Sequence, residues 1–134
     1  MKRIEVVTER EVQALDVTDA VTAQGWPDGW LVLSVPHTTA ALILGENDPE
    51  MLEDYEKVAA ALPAPFEPFK HHRNDNPNAA AHIISSFVGT QLLLPVEDGR
   101  IGLGTWQRII LMELDGPKTR TLLCGSLGSP SVED

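Results

Sequence analysis

Two Asx-Pro steps, Asp48-Pro49 and Asn76-Pro77, partition this chain more sharply than any other feature. Asp and Asn accept hydrogen bonds from the free N–H groups of a helix start. Proline's fixed φ suits the first helical position, where its missing N–H leaves no bond unmade. Each step therefore predicts a helix. The first places Glu50 and Glu53 near the positive end of its dipole and carries an apolar stripe of Leu52, Tyr55, Ala59 and Leu62 up to Pro63-Ala64-Pro65. The second runs from the cap Asn76 to Gly89. At 100° per residue, Ala80, Ile83, Ile84, Phe87 and Val88 share one side of it, and His82 falls opposite with Asn78, Ser85 and Ser86.

Around this helical centre the chain reads as strands. Residues 2–8 and 11–17 suit two opening strands, and Asp16-Val17-Thr18-Asp19 supplies cap-type residues for a short helix ending near Gly25. Asp28-Gly29 is a turn. Trp30 to Val35 is apolar at alternate and intervening positions alike, so it predicts a central strand buried on both faces, and Ala40 to Leu44 resumes the run. From Gln91 a meander follows: Leu92 to Val96, a two-residue Asp98-Gly99 hairpin, Ile109 to Leu114, and Thr119 to Cys124. Pro95 marks an edge strand or a bulge. Strands outnumber and bracket the helices. The expected fold is α+β: a single compact domain over residues 1–134, mostly antiparallel β-sheet or sandwich, with two or three helices.

Composition narrows the partners. Twenty acids against ten bases leave a net charge of −10, which disfavours nucleic acid, whose binding needs a basic stripe to replace counterions. No apolar run approaches the ~20 residues of a membrane span, and Met1-Lys2-Arg3-Ile4-Glu5 lacks a signal peptide's apolar core. The expected setting is cytoplasmic, with no membrane partner. The one cysteine, Cys124, lies in an apolar strand and reads as a buried, inert thiol.

All four histidines fall between residues 37 and 82. His37 follows a strand and precedes Thr38 and Thr39; it is either a strand-end imidazole bonded to backbone, or a ligand beside two hydroxyls that can donate to a phosphate. His71 and His72 are adjacent in an extended loop, so only one can face a given site. His82 lies on the polar side of its helix, as a solvated histidine or as a ligand. Imidazoles from three segments, His37, His71 and His82, would make the open three-ligand arrangement of a catalytic zinc. Glu46, in Glu46-Asn47-Asp48, is not needed for capping and could orient a histidine, move a proton or hold magnesium. In Gly102-Leu103-Gly104-Thr105-Trp106-Gln107-Arg108, the glycines before an indole, an amide and a guanidinium suit a flat polar ligand, or else mark a bulged strand with Trp106 in the core.

Taken in order, Pro36-His37-Thr38-Thr39-Ala40-Ala41-Leu42, Glu46-Asn47-Asp48-Pro49, Ala81-His82-Ile83 with Gly89-Thr90, Pro95-Val96, Asp98-Gly99-Arg100, Gly104-Thr105-Trp106-Gln107 and Glu113-Leu114-Asp115-Gly116-Pro117 resemble the YjbQ-like family, described as secondary thiamine-phosphate synthase enzymes. The resemblance runs from about residue 4 to near Gly125. It implies a homotrimer with histidine pockets near subunit boundaries, and a divalent metal, zinc or, with a diphosphate substrate, magnesium. His37, His71 and His82 would be the metal ligands, with Glu46, Asn47 and His82 catalytic. Thr38, Thr39, Arg73, Trp106, Gln107 and Arg108 would bind a small phosphorylated metabolite, the two arginines as phosphate clamps and Trp106 as a stacking wall. The implied reaction joins a pyrimidine diphosphate to a thiazole phosphate. His72 departs from the family pattern, which has an acid there in many members, so a non-catalytic metal or metabolite binder and a metal-dependent hydrolase stay open beside the transferase.

Overall fold

The structure, a computed structural model, describes residues 1–71 and 77–128. Among these residues eight strands form two antiparallel sheets. The larger has the order β1 (Lys2–Val7), β8 (Thr119–Gly128), β3 (Gly29–Ser34), β5 (Gln91–Glu97) and β6 (Arg100–Ile101). The smaller has β7 (Arg108–Glu113) between β2 (Gln13–Asp16) and β4 (Ala40–Gly45). Helix α1 (Thr18–Thr22) links β2 to β3, and α2 (Pro49–Ala61) and α3 (Ala79–Val88) lie between β4 and β5 in sequence. This is the α+β, antiparallel architecture that the strand pattern implies.

Side-chain alternation makes three layers. Leu31, Leu33, Leu94, Val96, Leu122 and Cys124 from the large sheet meet Ala40, Leu42, Ile109 and Leu111 from the small one in one buried cluster. The opposite face of the small sheet presents Ala41, Ile110 and Met112 to Ala81 and Ile84 of α3, with Leu52, Tyr55 and Ala59 of α2 packed alongside. β7 is thus the strand covered on both faces, and its Ile109-Ile110-Leu111 are fully buried. β3 is central in its sheet, as expected, but only one face is covered. Trp30 remains 42% exposed because, among the described residues, no layer covers the outer face of the large sheet.

The helix starts depart in detail. Asp48 caps α2 as expected, its Oδ2 accepting from the Met51 N–H at 3.2 Å. The expected cap of α3, Asn76, lies outside the described residues. Asn78 occupies the cap position, and its side chain donates to Asp115 Oδ2 at 3.0 Å instead of capping. The buried face of α3 is Ala79, Ala81, Ile84 and Ser85, whereas Phe87 is 85% exposed, and Leu62 at the end of α2 is also exposed. Helix α3 lies against β4, and the small Ala81 and Ser85 on its buried face allow the approach. Ser85 Oγ donates to the Ala40 carbonyl at 2.6 Å, and the Leu42 N–H donates to the Gly89 carbonyl at 3.1 Å. These bonds close the free edge of β4, which the order β2-β7-β4 would otherwise leave open. Pro95 behaves as expected of an edge: β5 borders only the two-residue β6 on that side.

One charged pair sits in the core. Glu113, at the end of β7, and Arg120, near the start of β8, are 0% and 4% exposed. Arg120 Nε donates to Glu113 Oε1 at 2.8 Å, and its Nη2 donates to Oε2 and to both the carbonyl and the hydroxyl of Thr39. Glu113 also accepts from Thr8 Oγ1 and from the N–H groups of Leu114 and Asp115. Burial alone would raise the Glu113 pKa, and these bonds more than offset it, holding the carboxyl below its ordinary value. Truncating one member strands the other charge away from water. Glu113→Ala should therefore lower stability by ~3–5 kcal/mol, read as a shift of the urea unfolding midpoint at unchanged slope.

Candidate functional site

The structure sorts the sequence-expected residues into two groups at opposite ends of the small sheet. Its β4–β7 register runs from Ala40↔Glu113 to Gly45↔Arg108. Five strand steps put these ends about 17 Å apart. Thr38 and Thr39 lead into the Ala40 end. His82 belongs to the same end, because α3 is anchored there by Ser85 to Ala40 and by Asn78 to Asp115. Glu46, Asn47, Trp106, Gln107 and Arg108 lie at the other.

At the histidine end, the rings of His71 and His82 meet edge-to-face, with centroids 5.1 Å apart. They border a cleft of about 390 Å³ lined by Phe69, Lys70, His71, Ala79, His82 and Ile83. His37 is held differently. Its Nε2 accepts the backbone N–H of Thr121 at 2.9 Å. The β3–β8 register, ending at Ser34↔Leu123, would bring β3 to Thr121 two residues later, where Pro36 has already turned the chain away. The imidazole supplies the acceptor that the departing strand no longer offers, so the strand-end reading of His37 describes its geometry. Burial first, and then the Arg120 guanidinium and Lys118, push its pKa below the usual histidine range against an opposing pull from Glu113. Among the described residues no three His, Cys, Asp or Glu side chains come together to hold a metal within one chain. The expected trio is thus represented in one chain by the His71–His82 pair. His72 and Arg73 lie outside the described residues.

At the other end, Arg108 is not a free clamp. Its Nε donates to Asp16 Oδ2 at 2.6 Å and its Nη2 to Asp19 Oδ1 at 2.9 Å. Asn47 Nδ2 donates to the same Asp16 oxygen at 2.8 Å. Burial opposes charge on Asp16, but the bonds from Arg108, Thr18 and Asn47 outweigh it and hold its pKa at about 2. Gln107 Oε1 accepts the Gly104 N–H at 2.8 Å, which shapes the turn. Trp106 is not in the core; it is 73% exposed beside that turn. Glu46 is exposed, and its carbonyl accepts from the Tyr55 hydroxyl at 3.2 Å. Gly45 permits this: a Cβ there would fall 2.4 Å from the Tyr55 hydroxyl oxygen. Cys124 is fully buried, and burial raises its thiol to about 11, as expected of an inert core cysteine.

The residues that sequence reasoning passed over are Glu113, Arg120 and Thr8. In the sequence Glu113 stands only as part of a turn motif, and Arg120 only as part of a strand. The signal was there, since each occupies a core-facing step of its strand, two residues from Leu111 and Leu122 respectively. One buried acid and one buried base in neighbouring apolar strands imply a pair.

The described residues thus form a three-layer antiparallel α+β fold with a histidine pair beside a cleft and a buried acid–base pair between its sheets. No helix among the described residues is long and apolar enough to cross a membrane. Residues 2–129 match the family model described as UPF0047 protein YjbQ-like, and the chain belongs to that family. It is 38% identical to a UPF0047 protein of Archaeoglobus fulgidus, over 90% of this chain and 95% of that one. It is 35% identical to the UPF0047 protein YugU of Bacillus subtilis, over 96% and 99%. Among solved structures, a hypothetical protein from Aeropyrum pernix superposes with a TM-score of 0.87 at 41% identity, covering 96% of this chain and 98% of that one. A YbjQ-like protein of unknown function from Sulfolobus solfataricus does so at 0.86 and 34%, covering 96% of each.

The His37 environment has a pH consequence. The folded state holds this imidazole below its unfolded pKa of ~6.5, so between the two values the unfolded chain binds more protons. The stability that His37 contributes is complete above ~6.5 and is lost as pH falls toward the folded value. Urea midpoints measured from pH 7.5 down to 5 should fall more steeply for the wild type than for His37→Gln, whose amide oxygen can take the Thr121 N–H without titrating.

Proposed function

We propose that this protein is a divalent-metal-binding homotrimer acting on a small phosphorylated metabolite, with thiamine-phosphate-synthase-like chemistry as its reaction. The observation that carries the reading is the edge-to-face His71–His82 pair beside the Phe69–Lys70 cleft. Two imidazoles from a loop and a helix fit a zinc-type site, which takes three protein ligands and leaves one position for water or substrate. The third ligand comes from a neighbouring copy. His37 is the weaker candidate, because the lone pair on its Nε2 is already bonded to Thr121.

The separation of Glu46 and Trp106 from His82 supports assembly as part of the function. Within one chain a carboxylate at one end of the small sheet does not reach an imidazole at the other. In the trimer, the Glu46–Trp106 end of one copy adjoins the histidine end of the next. Exposed Phe66, Phe87, Leu93 and Leu127 supply apolar surface for such an interface. The reaction joins a pyrimidine diphosphate to a thiazole phosphate with loss of pyrophosphate. A bound cation would neutralise the departing diphosphate. From the chain itself, Lys70 would orient phosphate at the cleft, Trp106 would stack a ring, and Glu46 would hold a proton or a ligating histidine. One observation favours a second reading, a binder without turnover or a metal-dependent hydrolase. Arg108, Asn47 and Gln107 are all engaged within the chain and would have to be released to meet a substrate.

Light scattering at micromolar concentration should give a trimer, each pairwise interface burying more than ~1,000 Å²; a monomer would refute the assembly. Elemental analysis should find one divalent metal per chain in the wild type and at least a tenfold loss in His82→Ala. Co-refolding His82→Ala with Glu46→Gln should restore part of the synthase activity that neither variant has alone, as required if each site draws on two copies. Metal bound tightly with no product from the two phosphorylated substrates would leave the binder reading.

A further inference from the structure

The cleft beside His71 and His82 does not end at its imidazoles. Phe69 and Ile83 line it and also line a second groove of about 400 Å³, whose other walls include Leu62, Phe66, Ile84 and Phe87. The two cavities therefore adjoin, and their chemistry is opposite. The first carries two imidazoles and the Lys70 ammonium, whereas every described side chain lining the second is apolar. Helix α3 sets the direction from one to the other. His82 and Ile83 are neighbours, and Phe87 lies one turn beyond Ile83 on the same side, so imidazole and phenyl are separated by about 7.5 Å along the helix axis. Leu62, Phe66 and Phe87 are 59%, 75% and 85% exposed. They belong to neither buried cluster, so core packing does not account for them. Large apolar side chains gathered around one exposed groove mark a place where something binds.

We propose that this double cavity takes a phosphate monoester of an aliphatic alcohol, its phosphate at the His71–His82 cleft beside Lys70 and its hydrocarbon tail running past Ile83 into the Phe66–Phe87 groove. The inference rests on the reading of the histidine cleft as a phosphate site and adds the body of the ligand. A nitrogen heterocycle is a poor occupant of the groove, since no side chain lining it can meet ring nitrogens or an amine, and burying them unpaired costs affinity. A hydrocarbon has no such groups, and its burial removes apolar surface on both partners from water. The occupant is a soluble molecule and not a bilayer, because a chain of net charge −10 is repelled by an anionic membrane surface. Assembly has apolar surface elsewhere. Trp30, Leu93 and Leu127 are exposed on the outer face of the large sheet, on the opposite side of the molecule from α3, so an interface there leaves the groove open.

The test is isothermal titration calorimetry of the purified protein with ethyl, butyl, hexyl and octyl phosphate, each below its micelle concentration. Affinity should rise about two- to fourfold per methylene, the upper figure corresponding to full burial, and level off once the tail passes Phe87. Phe66→Ser combined with Phe87→Ser should flatten that rise and weaken octyl phosphate binding at least tenfold. His82→Ala should instead weaken every member by one common factor and keep the rise. Should the double variant not fold, the wild-type series decides. Equal affinity for ethyl and octyl phosphate would overturn the proposal and leave the phosphate reading of the cleft standing. No binding of any member, ethyl phosphate included, would remove that reading and the proposal with it. Octyl phosphate binding that His82→Ala leaves unchanged would separate tail from head and overturn the proposal. So would conversion of the double variant to a monomer in light scattering, which would give the two phenyl rings to an interface. Cosedimentation with phosphatidylglycerol vesicles and no rise along the soluble series would assign the groove to a membrane instead.

Discussion

Burying Glu113 against Arg120 constrains nearly everything at the histidine end of the molecule. The pair joins the end of β7 to the start of β8, and its remaining bonds reach Thr8 beyond β1 and Thr39 before β4. Four strands from two sheets thus converge on two charged side chains. Removed from water, each charge needs every bond it has, so none of the four backbone segments can move independently. Ion pairs of this kind add little net stability over apolar packing. What this one adds is direction, since hydrophobic contact between two sheets tolerates sliding and a forked guanidinium on a carboxylate does not. The loop holding His37, Thr38 and Thr39 inherits its position from that lock.

The far end of the small sheet is organised by a second, wetter network. Asp16 collects Arg108, Asn47 and the Thr18 N–H, and Arg108 reaches on to exposed Asp19. Partial exposure makes these bonds individually weak and exchangeable. The small sheet is thus held by a rigid, dry network at one end and an adjustable one at the other.

Much of this was legible in the chain. The Asp48-Pro49 start, the Asp98-Gly99 hairpin, the edge at Pro95 and the buried Cys124 follow from local chemistry, which a sequence displays directly. Helix α3 was misread because a hydrophobic period counts only oil. Against a strand packed this closely, Ala81 and Ser85 outrank Phe87, and Ser85 is admitted because it finds the Ala40 carbonyl. The apolar run of β3 predicts cover on both faces and nothing in that of β7 sets it apart, because apolar runs do not say how many layers stack above them. The family motifs name the candidate site residues one segment at a time. They could not show that Glu46 and His82 sit at opposite ends of a sheet, since that depends on the β4–β7 register, nor that Arg108 is already engaged by Asp16, a residue 92 positions away.

Helix α3 closes the open edge of β4 and also carries His82. A sheet edge left bare invites pairing with other chains, so the bonds from Ser85 and to Gly89 guard against aggregation. The same two bonds fix how far His82 stands from the sheet. Solubility and site geometry are therefore one constraint in this protein. A substitution that loosens α3 will release a sticky strand and misplace an imidazole together, so a shifted His82 will come with a tendency to self-associate.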